Sequence, residues 1–303
     1  MDPKPCLTVQ SFEVAPVRRG PDRPFWDATW IAPQLHELLF APKAGPQDGP
    51  PSRTYLIVDA TLRTRATGLF DLDVLPLPVR CLFQGEAQQN FAASAPYLVD
   101  LTLPETGPTS FHKRFFAEDW EKGTGIVLRS TAPMDAIWSH FRKFTLIEGA
   151  AGRSMFFRFW ETNTLYDYFS AVAMLPERAR DLFCLRSGEL VDLILGHSDM
   201  MSRNYLVRPD PEALSGIEPS RGRLRLHPDE ERALYRGVLR GHAKQIERRL
   251  PAHHADLGPA EREALVFDCV CRMRDRGILQ LDQIETQVEW ELRTAKGGPR
   301  ATT

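Results

Sequence analysis

The run Tyr55-Leu56-Ile57-Val58-Asp59-Ala60 constrains this chain more than any other stretch. It is rich in β-formers and apolar on both faces, so it suits a central strand better than an edge. Three runs of similar character follow: Val79-Arg80-Cys81-Leu82-Phe83, which ends at Gln84-Gly85, then Tyr97-Leu98-Val99-Asp100-Leu101 and Gly125-Ile126-Val127-Leu128-Arg129. Of the 24 prolines, the majority lie at or before Pro108, and the segment from Ala41 to Pro51 reads as a loop. Its prolines and glycines neither hold a helix nor donate to a ladder. From that loop to about residue 175, strands and helices are expected to alternate.

The clearest helix of this half has Thr131 as its cap, Pro133 in the first turn and Asp135 at the positive end of the dipole. Met134, Ile137, Trp138 and Phe141 form one apolar stripe along it. The run Ser154 to Trp160 reads as a strand, with Met155, Phe157 and Phe159 on one face and Phe156, Arg158 and Trp160 on the other. A helix from about Leu165 to Leu175 is expected to pack Leu165, Tyr168, Phe169 and Val172. Residues 176–227 show no clear pattern beyond an irregular strand pair around Leu190 to Leu195.

Three helices are expected from Pro228 onward. The first reaches Leu250 with Leu234, Val238, His242 and Ile246 at four-residue steps. The second opens at Pro259, carries Leu265, Val266, Cys269, Val270 and Met273 on one face, and stops at Gly277. The third spaces Leu281, Ile284, Val288 and Leu292. The expected fold class is therefore α+β: a mixed-sheet N-terminal lobe with packed helices, then a smaller all-helical C-terminal lobe. The expected boundaries are a Pro-rich, partly ordered leader over 1–53, an α+β domain over 54–220, a helical lobe over 221–295 and a disordered tail over 296–303.

Charge narrows the function classes. Lys and Arg total 38 against 40 Asp and Glu, a net charge of −2, with an isoelectric point near 6.5. That balance argues against a dedicated nucleic-acid binder or a basic membrane-surface protein. No apolar run approaches the roughly 18–20 residues that cross a bilayer, and Met1 to Cys6 lacks a signal-peptide layout. The 5 cysteines are scattered and odd in number, which fits reduced thiols in a cytoplasm.

Local motifs for chemistry each meet a plainer reading. Gly196-His197-Ser198-Asp199-Met200 begins like a nucleophile elbow but has methionine where the turn needs its closing glycine. Cys269-Val270-Cys271 sets two thiols about 200° apart around a helix, so they cannot share a metal. His253-His254-Ala255-Asp256 reads as a solvated turn, and His242 as a partly buried histidine on an apolar face. Gly123-Thr124-Gly125 precedes a strand rather than a helix, so it is no phosphate cradle. Arg221, Arg223 and Arg225 are followed by Asp229, Glu230 and Glu231, which are expected to cancel their field. No catalytic set, cofactor site or metal site is expected from these motifs.

The order of the segments is more telling. Tyr55 to Ala60, Cys81-Leu82-Phe83-Gln84-Gly85-Glu86, Ala95 to Leu101, Gly125 to Ser130, Trp138 to Thr145 and Phe156-Phe157-Arg158-Phe159-Trp160 together resemble the type VI secretion effector chaperones, or adaptors (the Tap/Tec family; domain of unknown function 4123). The likeness spans roughly residues 54–175, and the helical tail, with Arg272 to Ile278, is similar more loosely. One departure is Trp160-Glu161-Thr162, where the family usually has Tyr or Trp followed by Asp-Pro. The resemblance implies a non-enzymatic, cytoplasmic loading factor that binds an effector toxin and brings it to the VgrG spike, without itself being exported.

On that reading, exposed aromatic residues are natural anchors. Those singled out are Phe25, Trp26 and Trp30 in the leader and Phe115, Phe116 and Trp120 between the third and fourth strands. Ordinary core filling is the plainer role for all six. Arg158, flanked by aromatic residues, is either a buried ion-pair partner or a binding residue. The rival readings are an enzyme using a cleft between the lobes and a general interaction scaffold.

Overall fold

Backbone pairing organises the N-terminal two thirds of the chain around a 7-stranded sheet in the order β1-β9-β8-β5-β2-β4-β3. Its strands are β1 (Leu7–Phe12), β2 (Arg53–Asp59), β3 (Val79–Cys81), β4 (Pro96–Asp100), β5 (Gly125–Ser130), β8 (Asp192–Leu195) and β9 (Asn204–Pro209). A separate two-stranded ribbon pairs β6 (Leu146–Glu148) with β7 (Ser154–Phe156). The computed structural model describes residues 4–15, 29–42, 50–61, 77–196, 203–220, 222–250 and 257–294.

β2 is the central strand that its two apolar faces demand: β4 flanks it on one side and β5 on the other. Gly125 makes the second contact possible, because a Cβ there would lie 2.2 Å from the Ile57 carbonyl oxygen. The α+β class is as expected, but the mixed sheet is not. All ladders among the described residues are antiparallel, and the parallel element is an isolated bridge between Glu148 and Arg225. Sequence neighbours such as β3–β4 and β8–β9 also pair in space, and an antiparallel pair needs no crossover connection.

Alternation along the strands creates two cores. Tyr55, Ile57, Leu98, Ile126, Leu128 and Leu193 face the first. It is covered by α4 (Met134–Phe141), α5 (Thr162–Val172) and α6 (Pro176–Phe183), through Ile137, Tyr168 and Phe183 among others. Leu56, Val58, Val99, Val127 and Ile194 face the second. It is covered by α1 (Pro33–Phe40) and by the helical segment that begins with α3 (Ser110–Arg114). The short α2 (Glu86–Phe91) precedes β4. A third core lies within α7 (Pro228–Glu247), α8 (Pro259–Asp275) and α9 (Leu281–Thr294).

Several local expectations are corrected. The strand expected over Ser154 to Trp160 stops at Phe156, because Trp160 turns inward to donate its indole N–H to Asp59. Pro133, not Thr131, occupies the cap position of α4, without a side-chain cap. α6 opens with Pro176 at its start and Glu177 in its first turn, signals available in a stretch that reads as patternless. On α7, Val238 is 40% exposed, and the buried residues facing the third core are Leu239, Ala243 and Ile246, joined by Leu250 just after the helix. Each four-residue step advances about 40° around a helix, so the expected stripe passes from Leu234 across exposed Val238 to Ile246 on the third-core face. Leu234 meanwhile joins the first core, giving α7 two buried faces.

The leader is no separate unit, since β1 pairs with β9 over Leu7 to Phe12 and α1 supplies Leu35 and Leu39 to the second core. The helical lobe is likewise fastened to the sheet lobe. Glu230 of α7, buried, holds Arg178 of α6 at 2.6 Å and accepts the Tyr168 hydroxyl at 3.1 Å. Arg240 of α7 binds Asp167 of α5 through two nitrogens, at 3.0 and 3.1 Å. Among the described residues, no helix is long and apolar enough to cross a membrane. The tail at 296–303, the motif residues His197 to Met200 and the cluster His253 to Asp256 lie outside the described residues.

Candidate partner-binding surface

The residues singled out as anchors separate into three environments. Phe25 and Trp26 lie outside the described residues. Phe115, Phe116 and Trp120 are only 1%, 4% and 4% exposed, so they are core side chains of the second sheet face rather than exposed anchors. The backbone explains why: α3 runs into a π-helical turn (Phe115–Asp119) and then a 3₁₀ turn (Trp120–Lys122). This change of helical pitch lets Phe111, Phe115, Phe116 and Trp120 all join one cluster. Trp120 also packs on Gly196, where an added Cβ would lie 3.0 Å from the indole. The first glycine of the elbow-like motif therefore has a packing role.

Trp30 is the anchor residue that keeps part of its surface open. It is half-buried and sits edge-on to His36, His112 and Phe116, with ring centroids 5.8, 6.0 and 5.6 Å away. Phe40 completes this rim at 5.8 Å. Beneath it His112 is fully buried, and its Nε2–H donates to the Leu101 carbonyl at 2.9 Å. Its Nδ1 is the acceptor for Thr109 at the start of α3. Burial pushes the His112 pKa down, so the ring is neutral and aromatic in character at the rim's base.

Arg158 proves to be an ion-pair partner with one side in solvent. Its Nη2 donates to Asp59 Oδ2 at 2.8 Å and lies 3.0 Å from Glu161 Oε1. Asp59, the last residue of β2, is buried and also accepts the Thr61 N–H at 2.8 Å. Burial raises the Glu161 pKa, Arg158 lowers it, and Asp59 raises it again. With its side chain 48% exposed, Arg158 keeps part of its guanidinium in solvent while it pairs with Asp59.

Other exposed aromatic residues escape the sequence reading. Phe156 is exposed beside Phe83, with centroids 6.0 Å apart, and Phe91 is exposed on α2. Tyr235 and Trp290 are exposed on the helical lobe. A signal existed for Trp290, which falls off the stripe of Ile284, Val288 and Leu292. Of the acidic residues expected to cancel the arginine field, Glu230 pairs with Arg178 and Asp229 with Arg232, while Arg225 pairs with Glu148 and Arg221 lies outside the described residues. All 5 cysteines are free, and burial pushes the Cys269 thiol up to about 11, which makes it a poor nucleophile.

Residues 54–179 match the family model of a domain of unknown function, DUF4123. The DUF4123 segment runs from β2 to the middle of α6, so it holds the centre of the sheet, the aromatic segment Phe111 to Trp120 and the Asp59–Arg158 pair. Nothing among curated proteins or solved structures matches the chain.

Proposed function

We propose that this protein is an adaptor, or chaperone, of type VI secretion that binds an effector toxin and delivers it to the VgrG spike without catalysing a reaction. The observation that carries this reading is the DUF4123 match over residues 54–179, a family associated with such adaptors. The division of labour between two lobes supports it. Each lobe has its own core and its own aromatic side chains at the surface, half-buried Trp30 with exposed Phe156 and Phe91 on one and exposed Tyr235 and Trp290 on the other. Aromatic side chains give large contact area for little loss of rotamer freedom, and they dominate the energetics of protein interfaces. The firm joint between the lobes means that contacts made on one are held at a set position relative to the other. The working compartment in this reading is the cytoplasm of the producing cell.

The test is reconstitution. The purified protein is mixed with the effector and spike proteins encoded beside its gene and run on size-exclusion chromatography. A ternary complex, and loss of spike-bound effector when the protein is left out, is the expected result. Failure to retain either partner at micromolar concentration overturns the reading, as does turnover of a substrate that a single side-chain substitution abolishes.

A further inference from the structure

The two outer strands of the 7-stranded sheet, β1 and β3, present their free edges differently. β3 is only 3 residues long, carries Arg80 over the Trp138 ring at 3.3 Å, and has its outward Cys81 carbonyl occupied by the Trp138 indole N–H at 2.7 Å. Short length, a charge and an occupied backbone group are ways in which proteins close an edge. β1 is the opposite case. Its 6 residues, Leu7–Phe12, include no proline and no charge, and they pair with β9 one for one, without a bulge.

The register decides which backbone groups of β1 stay open. The Asp210 N–H donates to the Cys6 carbonyl at 2.9 Å, so Cys6 and, by alternation, Thr8, Gln10 and Phe12 direct their backbone groups to β9. Leu7, Val9 and Ser11 direct theirs the other way. The Leu7 N–H is taken by the Ala173 carbonyl just past α5, at 3.3 Å, which also accepts the Cys6 N–H at 2.8 Å. Beyond that point the Leu7 carbonyl, and the N–H and carbonyl of both Val9 and Ser11, have no partner among the described residues. Leu7 and Val9 turn their side chains to the first core. Met174 and Leu175, 46% and 40% exposed, follow directly on Ala173 and add apolar surface where the open edge begins. On the other face of β1, Thr8 and Gln10 are exposed.

We infer that β1 takes up an extended segment of a partner protein as an added edge strand. Donors and acceptors that alternate along one line are matched by another extended backbone; a helix has its own groups already bonded and cannot supply them. Cross-strand neighbours set the side chains of the segment: apolar where they meet Val9 and Met174 on the first face, small and polar where they meet Thr8 and Gln10 on the second. A second copy of this chain is the poorer occupant. Antiparallel pairing of two β1 strands through Val9 and Ser11 sets Ser11 of one copy against Val9 of the other, and Gln10 against Gln10. Such a contact buries little apolar surface, whereas a stable interface needs about 1,200 Å² or more. That the segment belongs to an effector or a spike rests on the adaptor reading above; strand addition at β1 does not.

The experiment uses the full chain and a fluorescent octapeptide alternating valine and threonine, extended by two lysines for solubility, followed by fluorescence anisotropy and hydrogen exchange. Saturable binding is expected, with slowed amide exchange in the segment that holds Leu7 to Phe12. Ser11→Pro removes an outward N–H that β9 does not use, so the fold is retained while binding weakens about tenfold. The same peptide N-methylated at its four central residues keeps its side chains but loses its donors, and it should not bind. That comparison needs no variant, so it decides the matter if Ser11→Pro does not fold. No saturation, equal binding of the N-methylated peptide, or undiminished affinity of folded Ser11→Pro overturns the inference. So does a wild-type dimer in sedimentation that Ser11→Pro returns to monomer, because a second copy is then the occupant. If effector and spike co-elute with the protein while the octapeptide does not bind, the edge is wrong and the adaptor reading stands. If the octapeptide binds but neither partner co-elutes, the adaptor reading alone falls.

Discussion

The two faces of the central sheet are built from the same strands yet finished differently. The first is sealed by three helices and joined to the helical lobe through Glu230 and Arg240. The second is covered by the short α1 and the Phe111 to Trp120 segment, and ends in a half-open aromatic rim around Trp30. Each face also buries one histidine on a carbonyl. His140 Nε2–H donates to Leu182 on the first, and His112 Nε2–H to Leu101 on the second, both at 2.9 Å. The contrast teaches that a strand buried on both sides requires two covers but not two equal ones. The thinner cover leaves the half-buried Trp30 rim at the surface.

The largest expected effect concerns the joint on the first face. Glu230→Ala leaves Arg178 buried without its carboxylate and should cost about 4 kcal/mol in chemical denaturation. A loss under 1 kcal/mol would show that the lobes are not fastened there. Next come neighbours on opposite faces: Ile57→Ala and Leu56→Ala, both fully buried, should each cost about 3 kcal/mol. If Leu56→Ala is nearly neutral, the second face is no true core.

The histidines give a pH test. Burial lowers the His140 pKa from 6.5 to about 3, so the fold favours the neutral ring. Its stability contribution is complete above pH 6.5 and is lost as pH falls toward 3, by up to about 1.4 kcal/mol per pH unit. Urea titrations between pH 7 and 4 should show a shallower pH dependence for His140→Gln than for wild type. His112, also shifted down by burial, should contribute in the same direction on the second face. An unchanged slope in His140→Gln and in His112→Gln would remove the buried neutral histidines from the comparison.

A smaller effect is expected at the rim. Trp30→Ala should cost about 1–2 kcal/mol, since the ring is only half-buried, yet weaken partner capture more than stability. Equal losses of both would make Trp30 a packing residue only. The smallest is Trp290→Ala on the exposed face of α9, within about 0.5 kcal/mol of wild type by thermal unfolding; its interest is whether it lowers capture of one partner and spares the other.

Local pattern was enough to determine where the main strands run, that β2 is central, and that three helices close the chain, because each element's period of burial is written in residues a few positions apart. It also carried the order of segments that resembles the adaptor family. Only the tertiary structure decided which aromatic residues are surface: Phe115, Phe116 and Trp120 share the polar neighbourhood of an exposed stretch, but a change of helical pitch turns them onto the sheet. Arg158 was legible as an ion-pair candidate, yet its partner Asp59 lies 99 residues away, beyond any local period. The same holds for Asp181 and a groove it lines, whose walls come from α6, from Lys143 and Phe144 and from residues between Ser220 and His227. Spacing along the chain reports what one element must bury; which side chains from distant elements meet, and which polar atoms are left without a partner, depends on how those elements are stacked.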